Sequence, residues 1–418
     1  MRKMKSSGVE WIGDIPQEWE VSRIGYLFSE RKVKVSDKEY EPLSVTMQGI
    51  VPQLSTAAKT DAHDDRKLVC NGDFVINSRS DRRGSCGISK YDGSVSLINI
   101  VLKPRIEISQ QYYNWLFKSS AFSDEFYKWG HGIVDDLWTT NWQDMKHIYI
   151  SLLPLPEQQR IAEFLDRKCA EIDSIIAKTK ATIEQYKALK QSVITQAVTK
   201  GIRPDRPMKD SGIEWIGEIP QEWNCNITKR FCTFKTGSTP STANQEWFDG
   251  ELNWFTPSDF NESYYLSKSS RALSVKAKQD NVATIIPNNT VMIIGIGGTA
   301  GKIGLTMCEC SCNQQITALI NSPRLLSKYL MYWMIANTKY LKETALFTTL
   351  PIINNQTIGS YPIIVPSDLS EQQEIADYLD SKCAEIDRLI AAKEQLLTEL
   401  ESYKKSVIYE YVTGKKEV

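Results

Sequence analysis

Arginine side chains cluster where a strand-like apolar run gives way to a polar turn. Arg79, Arg82 and Arg83 fall within five consecutive positions, and Lys90 follows a little later. A guanidinium group donates paired hydrogen bonds to phosphates and to guanine edges, so this stretch could bind nucleic acid. A solvated charged loop is the alternative interpretation.

A second polar stretch, residues 235–242, is rich in hydroxyl groups and small residues. Such a loop can present backbone N–H and hydroxyl groups to phosphates. The DNA-binding candidates that we select in it are Lys235, Thr236, Ser238, Thr239 and Ser241.

Four further polar residues are candidates, namely Asn141, Lys302, Asn313 and Gln314. Asn141 lies between two tryptophans, which places an amide beside aromatic faces, although tryptophans usually belong to the core. Lys302 follows a glycine-rich turn. Asn313 and Gln314 carry amides of the kind that pair with adenine, and amides that brace a strand are an equal alternative.

The sequence lacks the motifs by which a catalytic site is recognised. The glycine-rich run at 295–302 fails as a nucleotide-binding loop, because Ile296 stands where a Walker loop needs glycine and Ile303 where it needs serine or threonine. Zinc-protease, serine-hydrolase and amino-methyltransferase motifs are also absent. We therefore expect no catalytic residue and no cofactor site in this chain.

The nine cysteines are odd in number and form no CxxC pair, which argues against a disulfide framework. Cys308, Cys310 and Cys312 alternate as they would on one face of a strand. Because no histidine lies near them, free structural thiols are favoured over a metal site.

The composition is that of a globular protein, with 41% hydrophobic and 24% charged residues. The net charge of −1 does not by itself indicate a nucleic-acid-binding protein, but residues 226–364 carry 12 Lys or Arg against 8 Asp or Glu. A local positive surface is what DNA requires. Since neither a membrane-spanning run nor a signal-peptide stretch is found, we expect a cytoplasmic protein.

Two internal repeats determine the expected architecture. Residues 4–19, MKSSGVEWIGDIPQEW, return as MKDSGIEWIGEIPQEW at 208–223, and we call these the WIG segments. EQQRIAEFLDRKCAEID at 157–173 returns as EQQEIADYLDSKCAEID at 371–387, which is 214 residues later. The chain is therefore duplicated, with unlike segments at roughly 22–153 and 226–365.

The second repeat begins a long helix in each half, because large or apolar residues recur every seven positions. They are Leu165, Ile172, Tyr186 and Val193 in the first copy and Leu379, Ile386, Leu400 and Val407 in the second, with polar Thr179 and Lys393 in register. Each stripe spans about 40 residues, or about 60 Å. Such stripes predict an antiparallel coiled coil of the two helices, and a separate core helix in each domain is the alternative.

The order of these parts predicts where the N-terminus docks. The first helix continues into the second WIG segment, whereas the second helix ends the chain. We expect the N-terminal WIG segment to pack against the end of the second helix, closing the chain with pseudo-two-fold symmetry.

The two unlike segments share a glycine pattern. Gly84 and Gly87 match Gly301 and Gly304 at one spacing of 217. We predict one fold with different loop tips, which suits paired recognition modules and would also suit two diverged substrate-binding domains.

Taken together, WIGDIPQEW and WIGEIPQEW, the LPEQQRIAEFLD and LSEQQEIADYLD helix starts, TGSTPSTANQEWFDGELNWFTPSD, and GKIGL followed by NQQ make the chain resemble the specificity subunits (HsdS) of type I restriction-modification enzymes. The resemblance covers essentially the whole chain. It implies an α+β fold in which two α/β target-recognition domains are joined by two long antiparallel coiled-coil helices.

The resemblance also implies a division of the chain and a set of partners. The expected parts are an N-terminal segment at 1–21, recognition domains at 22–153 and 226–366, helices at 154–200 and 367–418, and a linker with the second WIG segment at 201–225. The partners would be double-stranded DNA with a bipartite target, two methyltransferase subunits and the restriction subunits. S-adenosylmethionine, ATP and Mg would be bound by those partners.

Two other functions fit the residues. A type IIB specificity subunit would look the same from this chain alone. A coiled-coil scaffold that binds proteins or glycans would show no interaction with DNA.

Overall fold

The computed structural model describes residues 2–55, 64–133, 138–261, 263–343, 346–347 and 351–418. The chain forms two compact units, of which the first comprises Met1–Ala181 with Glu394–Val418 and the second Thr182–Lys393. The first unit is therefore assembled from both ends of the chain. Each of the two long helices contributes one part to each unit.

The first unit contains a mixed set of strands and short helices followed by a long helix. Its strands are β1 (Met4–Ser6), β2 (Asp14–Pro16), β3 (Glu20–Arg23), β4 (Phe28–Glu30), β5 (Lys34–Val35), β6 (Leu43–Thr46), β7 (Gly49–Pro52), β8 (Arg66–Val69), β9 (Phe74–Asn77), β10 (Cys86–Ile88), β11 (Gly93–Ser96), β12 (Asn99–Pro104) and β13 (Tyr149–Leu152). Its helices are α1 (Ile24–Leu27), α2 (Gln110–Lys118), α3 (Ser120–Lys128), α4 (Trp142–Met145) and the beginning of α5 (Leu155–Lys200).

The central sheet of this unit has the strand order β10-β9-β12-β4, with antiparallel neighbours. The apolar runs of β9 and β12 are buried on both faces, as expected of the middle strands of a covered sheet. Aromatic residues of α2 and α3 cover one face, and the rings of Phe74 and Phe117 lie 4.5 Å apart. Ser109 caps α2 by accepting a hydrogen bond from the backbone N–H of Tyr112.

The second unit has the same kind of composition. Its strands are β14 (Met208–Asp210), β15 (Glu218–Pro220), β16 (Asn224–Ile227), β17 (Cys232–Thr236), β18 (Phe248–Phe255), β19 (Tyr265–Leu266), β20 (Ala272–Leu273), β21 (Val291–Ile294), β22 (Ile303–Thr306), β23 (Cys310–Cys312), β24 (Ile316–Asn321), β25 (Leu346–Phe347), β26 (Pro351–Ile352) and β27 (Pro362–Val365). Its helices are α6 (Val275–Gln279), α7 (Ser327–Ala336), α8 (Thr338–Glu343), α9 (Asn355–Ser360) and the beginning of α10 (Leu369–Val412).

The central sheet of the second unit repeats that of the first. Its order is β22-β21-β24-β17, with β19 added beside β22 as a parallel edge strand. The strands β9 and β12 coincide with β21 and β24 at the spacing of 217 that the glycines predicted. The prediction of one shared fold is therefore confirmed.

The glycine match has a local cause. Gly84 and Gly301 precede equivalent strands and adopt φ angles of +75° and +87°. Glycine enters this left-handed region without the steric cost that a Cβ brings. The two turns thus keep one backbone path while their other residues differ.

The predicted long helices are observed, and within each unit their parts run antiparallel. In the first unit the Phe164 and Tyr411 rings lie 4.4 Å apart and Asp173 pairs with Lys404 at 2.6 Å. In the second unit Lys190 pairs with Asp387 at 2.7 Å, and Arg203, just beyond α5, contacts Glu374 near the start of α10. In each unit the residue number along α5 rises as that of its partner on α10 falls, so the two helices run in opposite directions.

The N-terminal WIG segment packs on the end of α10, as predicted. Ile12, Trp19 and Val412 belong to one buried cluster. The Lys415 ammonium donates a hydrogen bond of 2.7 Å to the backbone carbonyl of Ile12. In the second unit the other WIG segment packs in the same way on the end of α5, where Trp223 shares a cluster with Val198.

Candidate nucleic-acid interface

The arginine turn of the first unit lies at one end of the central sheet, between β9 and β10. The Arg79 backbone N–H donates to Asn77 Oδ1 at 3.1 Å, and the Arg79 side chain contacts Asp81 at 3.1 Å. The turn also contacts Trp138, since the Ser80 N–H donates to the Trp138 carbonyl at 2.9 Å. The structure thus brings the arginines and this aromatic residue together.

Two of these arginines are available at the surface. The Arg82 side chain is 67% exposed and lies 3.6 Å from Asp81. The Arg83 guanidinium lies over the Tyr127 ring, 5.2 Å from its centroid, and contacts Asp124 at 3.4 Å. Carboxylates therefore accompany the arginines, which lowers the local positive potential below what the guanidinium groups alone would give.

Lys90 lies away from this cluster. The strand β10 runs from the arginine turn at Cys86 to Ile88, and Lys90 follows at the far end of the strand, where it is exposed. The four cations are close in the sequence, but they do not share one end of the sheet. Strand β10 separates them, because an extended chain advances about 3.3 Å per residue.

A cleft of about 780 Å³ adjoins the arginine turn. It is lined by Ser80, Asp81, Arg83, Asp124, Tyr127, Lys128 and Trp138. Burial raises the pKa of the Tyr127 hydroxyl, which therefore remains protonated at neutral pH. The Trp138 indole N–H donates to the Tyr127 carbonyl at 2.8 Å, and Gly130 leaves room for the indole, since a Cβ there would lie 2.2 Å from the Trp138 ring nitrogen.

Asn141 caps a short helix. Its side-chain oxygen accepts from the backbone N–H groups of Gln143 and Asp144 at the start of α4. Asn354 caps α9 of the second unit in the same way, by accepting from the Thr357 N–H. The structure assigns Asn141 a capping role that its aromatic neighbours did not indicate, and its DNA-binding role stays a prediction.

In the second unit the candidate residues gather at the equivalent end of the sheet. Residues 237–244 follow β17, 295–302 connect β21 to β22, and 313–315 precede β24. Their backbones are joined directly, because the Ser238 N–H donates to the Cys312 carbonyl at 2.9 Å and the Gly295 N–H donates to the Gln315 carbonyl at 2.7 Å. These three loops therefore form one surface.

The hydroxyl-rich loop divides into bracing and exposed residues. Ser238 is half-buried, and its hydroxyl accepts from the Thr284 N–H at 3.1 Å. Thr239 is exposed and hydrogen-bonds Gln314 across the loops, which joins two candidates directly. Lys235 and Ser241 are exposed as well.

The remaining candidates of the second unit are held by the protein itself. Lys302 is exposed, and its ammonium donates a hydrogen bond of 2.8 Å to the Phe260 carbonyl. Asn313 is buried, and its amide donates to Gln315 Oε1 at 3.0 Å. In the structure the Asn313 amide braces the start of β24, which is the second of the two alternatives. Gln314 is exposed.

Sequence reasoning missed two residues at this surface. Asn355 links two strands, because its amide donates to Thr236 Oγ1 at 3.1 Å and its carbonyl accepts from Thr317 Oγ1 at 2.9 Å. Arg271 is exposed and its guanidinium lies 5.0 Å from the centroid of the Trp254 ring. Asn355 follows the helix cap Asn354, and only the hydrogen bonds of the folded chain draw attention to it.

All nine cysteines are free, as the sequence predicted. Burial raises the pKa of the Cys312 thiol to about 12, so it is a protonated core side chain at neutral pH. Within the described residues, no group of three His, Cys, Asp or Glu side chains is placed to hold a metal ion. None of the described helices is long and apolar enough to cross a membrane.

The family described as type I restriction modification DNA specificity domain matches residues 16–185 and 220–402. The chain is 31% identical to the type I restriction enzyme MjaIX specificity subunit of Methanocaldococcus jannaschii over 168 residues, which is 39% of this chain and 38% of that relative. It is 22% identical to the putative MjaX specificity subunit of the same organism over 97% of this chain and 95% of the relative. The EcoDI specificity subunit of Escherichia coli is 21% identical, over 96% and 89%.

Two solved structures have the same fold. One is a chain from work on the complex assembly and conformational transition of the type I restriction-modification system, with a TM-score of 0.76 at 15% identity over 96% of this chain and 99% of that one. The other is the HsdS subunit from Thermoanaerobacter tengcongensis, with a TM-score of 0.53 at 16% identity over 96% and 98%.

Proposed function

The chain belongs to the type I restriction-modification DNA specificity family, and from this premise we propose that it is the subunit that reads the DNA target of a type I restriction-modification complex. Each recognition domain reads one half of a bipartite sequence. The chain itself performs no catalysis.

The observation that supports this function is that the two units share the same sheet topology but carry different side chains on the loops at the sheet ends. The order β10-β9-β12-β4 recurs as β22-β21-β24-β17. Yet the end of the first sheet presents arginines, and the end of the second presents hydroxyl and amide groups. A shared support with different contact residues is what two readers of unlike half-sites need, because base edges are distinguished by their own donors, acceptors and methyl groups.

The exposed cations and hydroxyls divide the task physically. Contacts to phosphates from residues such as Arg82 and Lys235 supply affinity and position the domain without selecting a sequence. A few side chains at base edges supply the selection, and each correct base pair contributes about 1–3 kcal/mol of discrimination. Two half-sites read together then add their discrimination at one fixed spacing.

The long helices are the elements that set this spacing. They connect the recognition domains, and a helix lengthens by about 1.5 Å per residue. Inserting one helical turn in both α5 and α10 should therefore lengthen the unread spacer and leave the half-site sequences unchanged. An unchanged spacer after that insertion would argue against this role.

Partner subunits supply the chemistry. Two methyltransferase subunits, which bind S-adenosylmethionine and methylate a flipped adenine, would associate with the helices and the WIG segments. Restriction subunits would add ATP- and Mg-dependent translocation and cleavage. The lack of recognisable catalytic motifs in the sequence supports this assignment.

Co-purification with the candidate methyltransferase, followed by sequencing of methylated adenines in DNA treated with the complex, tests the proposal. A single bipartite motif with a fixed gap is the expected result, and it would supply the unknown target. A stable complex that methylates no such motif would contradict the DNA-reading function. Binding to partners that is insensitive to DNA and salt would favour a protein scaffold instead.

A further inference from the structure

One aspartate on each long helix contacts the recognition domain of its own unit. In the first unit, Asp166 accepts hydrogen bonds from Trp115 Nε1 at 2.8 Å and Gln111 Nε2 at 3.3 Å, both on α2. In the second unit, Asp380 accepts from the Tyr332 hydroxyl at 2.7 Å and pairs with Lys328 at 2.6 Å, both on α7.

These contacts are equivalent in position but not in chemistry. Asp166 and Asp380 are related by the helix repeat of 214, whereas Gln111 with Lys328 and Trp115 with Tyr332 are related by the domain spacing of 217. The donors have changed from amide and indole to ammonium and phenol, and the aspartate acceptor is the same. The contact between domain and helix is thus present in both units although the domain residues differ.

A second attachment lies two helical turns earlier. Gln158 Oε1 accepts from the Ser109 N–H at 2.8 Å, and Gln372 Oε1 accepts from the Leu326 N–H at 2.9 Å, so each glutamine binds the start of α2 or α7. Both glutamines are almost fully buried. Eight residues separate each glutamine from its aspartate, a distance of about 12 Å along a helix.

Two attachments on one helix constrain a domain more than one does. Each helix and its domain also share a buried apolar cluster, in which Leu165 lies with Tyr112 and Leu379 lies with Tyr329. Apolar packing is non-directional, whereas a hydrogen bond depends on its angle, so the aspartate adds a restraint on the angle of the domain. A rotation of about 10° at a distance of about 20 Å shifts a side chain by about 3.5 Å, which is close to the rise of one base pair, about 3.4 Å. Small rotations of the domain on its helix are therefore large on the scale of DNA.

We propose that Asp166 and Asp380 are positioning residues that fix the angle of each recognition domain on its long helix and thereby determine how strictly the spacing between half-sites is read. This role rests on the proposed DNA-reading function and extends it to residues far from the sheet ends.

The contact in the second unit is the stronger of the two. Tyr265, on the edge strand β19, also donates to Asp380 at 2.5 Å, so this carboxylate joins the helix to the sheet itself. Burial alone would raise the pKa of Asp380, but hydrogen bonds from Lys328, Tyr265 and Tyr332 together lower it. Asp166 is exposed and its hydrogen bonds come from a neutral amide and a neutral indole, so we expect the larger effect at Asp380.

The experiment uses the full chain in complex with its methyltransferase partner. Duplexes carry both half-sites of the wild-type motif with the natural spacer or with a spacer one base pair longer or shorter, and the rate of adenine methylation is measured on each. Asp380→Ala should raise the relative rate on the altered spacers by about tenfold, as expected for loss of a hydrogen-bonded charge. Asp166→Ala should raise it by a smaller factor.

Asp377→Asn is the matched control, because Asp377 is exposed on the same helix and accepts a hydrogen bond from Gln373 of that helix. It should leave spacer selectivity unchanged. Lys328→Gln, which introduces the donor found in the first unit, should retain most of the selectivity. If thermal melting shows that the Asp380→Ala variant is unfolded, the isosteric variant Asp380→Asn takes its place.

Proportional losses on all three spacers in the Asp380 variants would show a purely structural role and overturn the proposal. A wild-type complex that methylates a bipartite motif while the variants keep its spacer selectivity would overturn the positioning role alone. A wild-type complex that methylates no bipartite motif would overturn this role together with the proposed function.

Discussion

The starts of the two long helices are held in the same way, whereas the ends of the two recognition sheets carry unlike side chains. In the first unit the Glu157 carboxylate receives Arg2 at 2.5 Å and the Trp19 indole N–H at 3.0 Å. In the second unit Glu371 receives Arg206 and the Trp223 indole N–H, the latter at 3.2 Å. Each arginine also lies over its tryptophan.

This difference separates the supporting framework from the contact surface. A buried carboxylate needs its charge partner and its hydrogen bonds at once, so any single change there is costly. Exposed side chains at the sheet ends have few neighbours within the protein, and a change there costs little stability. The same chain can thus hold one architecture and present two different surfaces.

The framework is not copied in every detail. Trp11 is buried and packs on Phe122 at 6.0 Å, whereas Trp215 of the second WIG segment is 42% exposed and stacks on Tyr340 at 5.2 Å. The position that corresponds to Phe122 at the domain spacing is Lys339. The two WIG segments, which differ at only three positions, are therefore covered by different side chains of their recognition domains.

Deletion of residues 1–19 is expected to have the largest effect. It removes the side chains that cover Val412 and the end of α10 and leaves Glu157 without Arg2, so local opening of that end should become easier by at least about 3 kcal/mol. Hydrogen exchange of residues 407–412 measures this change. The end of α5, covered by the intact second WIG segment, is the internal control, and equal protection at both ends would contradict the docking.

Arg206→Met should destabilise the second unit by about 2 kcal/mol, because the Glu371 carboxylate, only 5% exposed, would remain without its charge partner. Arg2→Met should cost less, since the side chains of that pair are more exposed. Urea unfolding followed by tryptophan fluorescence measures both. Arg203→Met, at an exposed ion pair, is the control with little change. A similar loss for all three variants would show that burial of the carboxylate is not the cause.

Asp387→Asn should cost about 1 kcal/mol and Asp173→Asn less, because Lys190 also lies over the Tyr264 ring and is less exposed than Lys404. Burial would lower the pKa of Lys190, but Asp387 and Tyr264 raise it above the usual 10.5. Its contribution is therefore complete at neutral pH and is lost as the pH rises through this raised pKa. Urea unfolding midpoints are measured from pH 7 into the alkaline range for the wild type and both variants. Equal losses of stability in Asp387→Asn and Asp173→Asn at every pH would show that the Tyr264 ring makes no contribution.

Arg82→Ala should have the smallest effect on the free protein and a specific effect on DNA binding. Loss of one phosphate contact reduces the slope of log affinity against log salt by about 0.9 and leaves the preferred bases unchanged. Lys90→Ala is the comparison, because it tests whether the other end of β10 also contacts phosphates. Binding titrations of the complex over a range of salt decide the outcome, and an unchanged slope for Arg82→Ala would remove the arginine turn as the contact surface.

The sequence alone determined the duplication, the two long helices and the shared fold of the two recognition domains. These features follow from local periodicity and from repeats, since a seven-residue stripe selects a helix and a shared spacing of 217 selects one fold for two unlike segments. The docking of the N-terminal segment also followed, because the order of the parts left the end of α10 without a covering segment.

Only the tertiary structure decided which side chains act together. It placed Lys90 apart from the arginines, gave Asn141 a helix to cap, and joined Asp380 to Tyr265 and Tyr332, which lie 115 and 48 positions away in the sequence. Such contacts depend on strand register and on the packing of one element against another. These are set by the whole core and not by the neighbours of a residue in sequence.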